Sequence, residues 1–255
     1  MTIALVSLSN AGAILADRVH RALPNSKVYL HENVDGKWDA ERFDSIVELT
    51  QRIFAKYTAL VYMVPCGVVV RALSPNLKSK TQDPAVVVVD VGARWAISLL
   101  SGHEGGANEL AVDIGNILAA EPVISTTTEA LKTVIVGIGC RRGTKPEKIV
   151  AAIQAGLKEA DFKLSQVRLL SSASVKADEE GLLAAARELV IPLRFIDADE
   201  IRNSLREFDR SHFVEEKVNL PAVAEPCALL AGRRTRLVLP KRSYNGITIA
   251  VAEEG

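Results

Sequence analysis

Short, almost wholly apolar runs constrain this chain more than any other feature: Ile3–Leu8, Ala59–Val64, Val86–Val89 and Thr133–Ile138. Each is strand-length, and a strand apolar on both sides must be covered on both faces. The run Ile3–Leu8 leads into Ser9-Asn10-Ala11-Gly12, and a helix is predicted from there to about Ala22. Lys27–Leu30 reads as a second strand, Phe43–Phe54 as a helix and Ala59–Val64 as a third strand. Pro65-Cys66-Gly67 ends that third strand and opens a helix carrying Arg71. Strand and helix in alternation imply a parallel sheet between two helical layers. Ligands of such sheets gather beyond the carboxyl ends of the strands, where the turns at Ser9–Gly12 and Pro65–Gly67 fall.

Val86–Val89 and Trp95–Leu99 flank Asp90-Val91-Gly92-Ala93-Arg94, which reads as a hairpin loop. The segment Ser98-Leu-Leu-Ser-Gly102-His103-Glu104-Gly105-Gly106-Ala107-Asn108 follows. After it, Leu110, Ala111, Ile114, Ile117 and Leu118 recur on one helical face. Glycines in a strand-to-helix turn let the backbone come close to a ligand and aim N–H groups at an anion. A tight connector would need fewer glycines, and His103 sits where an acid, a base or a metal ligand is useful. Pro122–Ser125 is one more strand, and Thr126-Thr127-Thr128 closes the unit.

A second unit begins near Lys132 with a strand at Thr133–Ile138 and the turn Gly137-Ile-Gly139-Cys140-Arg141-Arg142-Gly143. Thr144, Pro146 and Glu147 predict a capped helix start with a capping box. Ile149, Val150, Ile153 and Leu157 form the buried stripe of that helix. Val167–Leu170 (strand), Glu179–Leu189 (helix), Leu193–Ile196 (strand) and Ala198–Phe208 (helix) follow. A terminal hairpin, Leu237–Leu239 with Ile247–Val251, turns at Asn245-Gly246. Two domains are expected, 1–128 and 132–255.

Composition removes several function classes. The 255 residues are 48% hydrophobic and 24% charged, an ordinary soluble balance, and the formal net charge is zero. A nucleic-acid binder relying on a bulk basic field is disfavoured. No apolar run reaches membrane-spanning length, so no membrane partner is expected. Met1-Thr-Ile-Ala-Leu-Val reads as a first strand and not as a leader, and cytoplasmic location is the expectation. Cys66, Cys140 and Cys227 form no CxxC pair, so neither a zinc site nor a disulfide framework is expected.

The second glycine turn departs from G-x-G-x-x-G spacing, which weakens a nucleotide-binding reading. Arg141 and Arg142 suit a carboxylate or phosphate held bidentately; two solvated arginines are the plain alternative. Cys140 is open between nucleophile, metal ligand and small buried hydrophobe. Arg71 is open between anion contact and solvated charge. Glu225-Pro226 starts a further helix, where a carboxylate is electrostatically comfortable. His20, His31 and His212 read as surface or structural.

These motifs resemble the CbiG family, the cobalt-precorrin 5A hydrolases of anaerobic cobalamin biosynthesis. The N-terminal likeness rests on Cys66-Gly67-Val-Val-Val-Arg71-Ala-Leu-Ser-Pro75, Lys78, Lys80, Asp83-Pro84-Ala85-Val86-Val87, Asp90 and Leu99-Leu-Ser-Gly102-His103-x-Gly105-Gly106-Ala107-Asn108. The C-terminal likeness rests on Gly137-Ile-Gly-Cys140-Arg-Arg-Gly143, Lys176-x-Asp178-Glu179-x-Gly181-Leu182, Ser211-x-Phe213-Val214 and Val223-Ala-Glu225-Pro226. In many members a longer segment joins the domains; here Thr126–Lys132 is nearly all of it.

The resemblance implies two three-layer α/β/α domains. The N-terminal sheet would be mostly parallel and flavodoxin-like, the C-terminal one mixed. It also implies opening of a δ-lactone on a cobalt-bound macrocycle and release of acetaldehyde, giving cobalt-precorrin 5B. Cobalt arrives within the substrate, and no organic cofactor or metal site of the protein is implied. Carried onto this chain, His103 and Glu104 become the catalytic pair, with the Gly105 and Gly106 amides as oxyanion donors. Gly67, Arg71, Gly102, Gly105, Gly106, Asn108, Gly139, Cys140, Arg141, Arg142, Gly143, Lys176 and Glu225 become substrate contacts. A non-catalytic corrinoid carrier is the alternative: it keeps the arginines and glycines and needs no acid–base residue. Contacts with other enzymes of the pathway and a homodimer stay open.

Overall fold

The structure is a computed structural model and describes residues 1–209 and 219–255. His212 and the motif residues Ser211, Phe213 and Val214 lie outside the described residues. The chain divides into two compact units, Met1–Thr126 and Thr127–Gly255.

The first unit is built on a seven-stranded sheet. Its strands are β1 (Ile3–Ser7), β2 (Ser26–His31), β3 (Glu41–Phe43), β4 (Ala59–Met63), β5 (Ala85–Val89), β6 (Trp95–Leu100) and β7 (Glu121–Val123). They lie in the order β3-β2-β1-β4-β5-β6-β7. The first five run parallel, whereas β6 returns antiparallel to β5 and β7 runs with β6.

Successive residues of a strand face opposite sides, and both sides are dry here. Ile3, Leu5 and Val61 pack under α1 (Asn10–Ala22) and α4 (Ala107–Leu118). Ala4, Val6, Leu60 and Tyr62 pack under α2 (Ile46–Ile53) and α3 (Cys66–Leu73). Ser9 caps α1, its side chain accepting from Gly12 N at 3.2 Å.

The second unit has a mixed five-stranded sheet. Its strands are β8 (Val134–Gly139), β9 (Val167–Ala173), β10 (Leu193–Ile196), β11 (Thr235–Tyr244) and β12 (Ile247–Glu254), in the order β10-β9-β8-β12-β11. β8, β9 and β10 are parallel; β12 runs antiparallel to both β8 and β11. The helices are α5 (Thr127–Ala130), α6 (Pro146–Glu159), α7 (Glu180–Leu189), α8 (Ala198–Asn203) and α9 (Ala224–Leu230). The faces of α6 and α7 cover Val134, Val136 and Ile138. On the other side α9 packs on Ala250 and Ala252. A Cβ on Gly137 would lie 1.9 Å from the Ala224 carbonyl oxygen, so glycine sets how closely α9 approaches β8. Asn245 and Gly246 are both left-handed, at φ 52° and 83°, the geometry of the expected hairpin turn.

Three local expectations are corrected. Phe43 belongs to the short edge strand β3, and the helix after it starts at Ile46, where Ser45 accepts from Glu48 N. The helix from Ala198 stops at Asn203, well before Phe208. Thr144 does not cap α6; its hydroxyl donates to the Arg141 carbonyl at 2.6 Å, and Lys145 holds the cap position without a side-chain bond. Among the described residues no helix is long and apolar enough to cross a membrane.

Candidate active site

In the first unit the reversal at β6 decides where the histidine turn sits. Because β6 runs against β5, it ends at the amino ends of the parallel strands. Ser101 Oγ donates to the Asp83 carbonyl at 2.9 Å, and a Cβ on Gly105 would stand 3.4 Å from Ala85 N. Gly67 lies in the first turn of α3 at the carboxyl end of β4, at the opposite end of the sheet. Arg71 is tied back to that turn, donating from Nη1 to the Gly67 carbonyl at 3.2 Å. The sequence reading put Gly67, Arg71 and His103 in one site; the structure separates the Gly67 turn from the His103 turn.

His103 and Glu104 are exposed at the tip of their turn. Glu104 accepts from Lys80 Nζ at 2.8 Å, an exposed pair. The Lys80 hydrogen bond, with the residue's own backbone N–H, holds the Glu104 carboxyl below the usual carboxylate range; the charges of Lys80 and His103 add to this. Glu104 therefore stays an anion beside the imidazole and is no reservoir of acid protons. Lys80 was missed as a site residue. It stands two residues after Lys78 and far from Glu104 in the chain, and nothing in the local spacing announces that partner.

The turn consumes most of its own donors. Gly105 N–H donates to Ser101 O at 3.0 Å, Ala107 N–H to the same oxygen at 3.3 Å and Asn108 N–H to Gly102 O at 3.0 Å. This removes the Gly105 amide from the expected oxyanion pair. Gly106, left-handed at φ 84° as the N-cap of α4, keeps an N–H without a partner among the described residues. Asn108 turns inward. It is buried, its Oδ1 accepting from Ser98 Oγ and its Nδ2 donating to Thr126 Oγ1, each at 2.8 Å. A Cβ on Gly102 would come within 2.7 Å of both Asn108 Oδ1 and Thr126 Cγ2, so Gly102 makes room for that tie.

In the second unit the carboxyl ends of β8 and β9 gather the remaining candidates. Gly139 is the last residue of β8. Cys140 is half-buried and leans on the core below α6; burial pushes its thiol up, with smaller effects from Lys176, Glu179 and Thr144. Arg141 and Arg142 are exposed. Arg142 Nη1 meets Asp178 Oδ2 at 2.7 Å, and that contact lowers the Asp178 carboxyl and raises the guanidinium. Gly143, left-handed at φ 75°, donates its N–H to Glu179 Oε1 at 2.9 Å.

Lys176 ends the short turn after β9 and is half-buried, within electrostatic reach of Cys140 and Asp178. Asp178 and Glu179, the acidic pair of the Lys176-x-Asp178-Glu179 motif, stand beside this group through their bonds to Arg142 and Gly143. Glu225 does not join this group. It is buried on α9, Oε1 accepting from Lys241 N at 2.8 Å and Oε2 from Asp209 N at 2.7 Å, which makes it a tie between backbones. Among the described residues no group of three or more His, Cys, Asp or Glu side chains is placed to hold a metal ion.

Both units match known sequences. The family model "Cobalamin synthesis G N-terminal" covers residues 48–129 and "Cobalamin synthesis G C-terminus" covers 134–252. The cobalt-precorrin-5A hydrolase of Priestia megaterium is 25% identical over 98% of this chain and 94% of its own length. The cobalt-precorrin-5A hydrolase of Salmonella typhimurium is 26% identical over 98% of this chain and 97% of its own. Protein CobE of a Sinorhizobium species is 32% identical over 49% of this chain and 83% of its own length. With both models matched in order and the likeness running nearly end to end, the chain belongs to the cobalamin synthesis G (CbiG) family.

Proposed function

We propose that this chain is a cobalt-precorrin-5A hydrolase of anaerobic cobalamin biosynthesis, an enzyme acting on a carbon–carbon bond. The observation that carries the reading is the alignment of two hydrolases of that name over 98% of the chain. The substrate carries its own cobalt, and the reaction as proposed uses no organic cofactor.

His103 is the general base. It takes a proton from a water whose oxygen adds to the lactone carbonyl carbon; the ring C–O bond then breaks and the alkoxide leaving group recovers a proton. Glu104, kept anionic by Lys80, stabilises the imidazolium that forms. The Gly106 N–H is the donor left for the tetrahedral oxyanion. Carbon–carbon cleavage then releases acetaldehyde: the new hydroxyl gives up its proton to solvent, its oxygen forms the aldehyde C=O, and the electron pair of the broken carbon–carbon bond passes to the macrocycle.

The substrate's carboxylates suit Arg141, Arg142 and Lys176. Arg142 is already paired with Asp178, but both partners are about two-thirds exposed, at 65% and 68%. An exposed pair of this kind is worth little, so exchanging Asp178 for a substrate carboxylate is cheap. The test is anaerobic incubation with cobalt-precorrin-5A. Acetaldehyde should be trapped and the macrocycle should lose the mass of acetaldehyde less one water. Corrinoid bound without acetaldehyde release would instead make the chain a carrier.

A further inference from the structure

Glu179 is 97% buried, with a relative exposure of 3%, and it is an acid at the ligand end of a sheet. It stands at the cap position of α7 yet makes no side-chain bond to its own helix. Its Oε1 instead reaches across to the neighbouring turn and accepts from Gly143 N–H at 2.9 Å. Its Oε2 has no hydrogen-bond partner among the described residues. A buried carboxylate with one bond is costly, so that one bond is where its effect lies.

The bonded residue is the left-handed corner of the turn that carries Arg141 and Arg142. Two further features fit the turn to this position. A Cβ on Gly181 would lie 1.9 Å from the Thr144 carbonyl oxygen, so the start of α7 presses directly on the turn. On the outside, Arg142 meets Asp178, the residue beside Glu179, at 2.7 Å. A substrate carboxylate is therefore met by the side-chain cations and not by the Gly143 amide.

We propose that Glu179 is a positioning residue for substrate binding. Its Oε1 holds the Gly143 corner and so fixes the direction in which the two arginines leave the turn. This rests on the hydrolase reading above. The effect runs through the hydrogen bond and not through the charge.

Two variants of the full chain separate those causes. E179D keeps the charge but is one methylene too short to reach Gly143; E179Q keeps an acceptor oxygen at full length and drops the charge. Each is assayed for acetaldehyde release from cobalt-precorrin-5A, and for hydrogen exchange at the Gly143 amide, with the unfolding midpoint followed alongside. E179D should raise KM about tenfold, leave kcat within about twofold of the parent and speed exchange at Gly143. E179Q should stay near the parent in all three. Parental KM in E179D overturns the proposal. So does an E179Q as impaired as E179D, or a fall in kcat with KM unmoved. If the unmodified chain releases no acetaldehyde, the hydrolase reading fails by itself. The exchange measurement still decides the positioning: no faster exchange at Gly143 in E179D overturns it.

Discussion

At the scale of single residues, chemistry and scaffolding are told apart by what each polar atom already holds. His103 is exposed, and its neighbour Glu104 is tied to Lys80 at 2.8 Å. Replacing His103 by Ala should lower kcat for acetaldehyde release by about a hundredfold or more, the usual weight of a positioned acid–base group. Corrinoid affinity, followed by absorbance titration, should hardly move. A parental rate in H103A would remove the histidine from the mechanism. Cys140 gives the converse expectation. Burial raises its thiol, so little thiolate exists near neutral pH, and alkylation should accelerate only as pH rises past the ordinary thiol range. Mass spectrometry of iodoacetamide-treated protein across a pH series checks this, and rapid labelling at pH 7 would contradict it. The strand, glycine turn and helix around His103 were legible because the glycines stand between an apolar run and a helical period. Asn108 and Glu225 show what sequence leaves open: a polar residue near a helix start looks the same whether it faces a ligand or ties two segments of the chain together. Burial and partners decide, and both depend on residues far along the chain, such as Thr126 and Lys241.

At the scale of elements, one strand reversal reorganises the first unit. The hairpin between β5 and β6 was readable from Asp90–Arg94, where Asp90 accepts from Arg94 N and Trp95 N, each at 2.8 Å. Its consequence, that the next turn falls at the amino ends of the parallel strands, needs the sheet order and not only local spacing. β3 was missed for a related reason: three residues carry no period, and the strand exists through its pairing with Tyr29–His31. The α6 cap was misplaced because Thr144 turns its hydroxyl back to Arg141 and the turn is held by Glu179 from another element. Glycines at close contacts are legible as glycines but not by partner, and Gly137 shows the size of the effect. Alanine there would drive a methyl into the Ala224 carbonyl, so α9 must lift from β8. Overpacking of this kind costs about 1–3 kcal/mol. G137A should therefore unfold at a lower urea midpoint with the same slope. An unchanged midpoint would mean that α9 is not seated by that contact.

At the scale of the whole molecule, a net charge of zero conceals different side chains gathered on the turns of the two units. On the first, His103 stands beside an ionised Glu104; on the second, Arg141, Arg142 and Lys176 lie around the strand ends, with Glu179 bonded to Gly143 and the Cys140 thiol held protonated. Under the roles proposed above, H103A is expected to act on kcat and R142A on KM. Arg142 and Asp178 give the sharper form of this expectation, because the pair must part for the guanidinium to take a substrate carboxylate. R142A removes a charge-assisted contact and should raise KM about tenfold. D178N leaves the arginine in place and removes its competitor, so KM should fall, by about twofold to fivefold given the small worth of an exposed pair. Both effects should shrink as salt rises, since exposed charges are screened beyond about 8 Å near physiological ionic strength. Steady-state assays of the two variants at low and high salt check the pattern. A D178N enzyme with raised KM would show that Asp178 holds Arg142 in its working position instead of competing for it. A kcat loss in R142A with KM unmoved would place that arginine in the chemistry and not in binding.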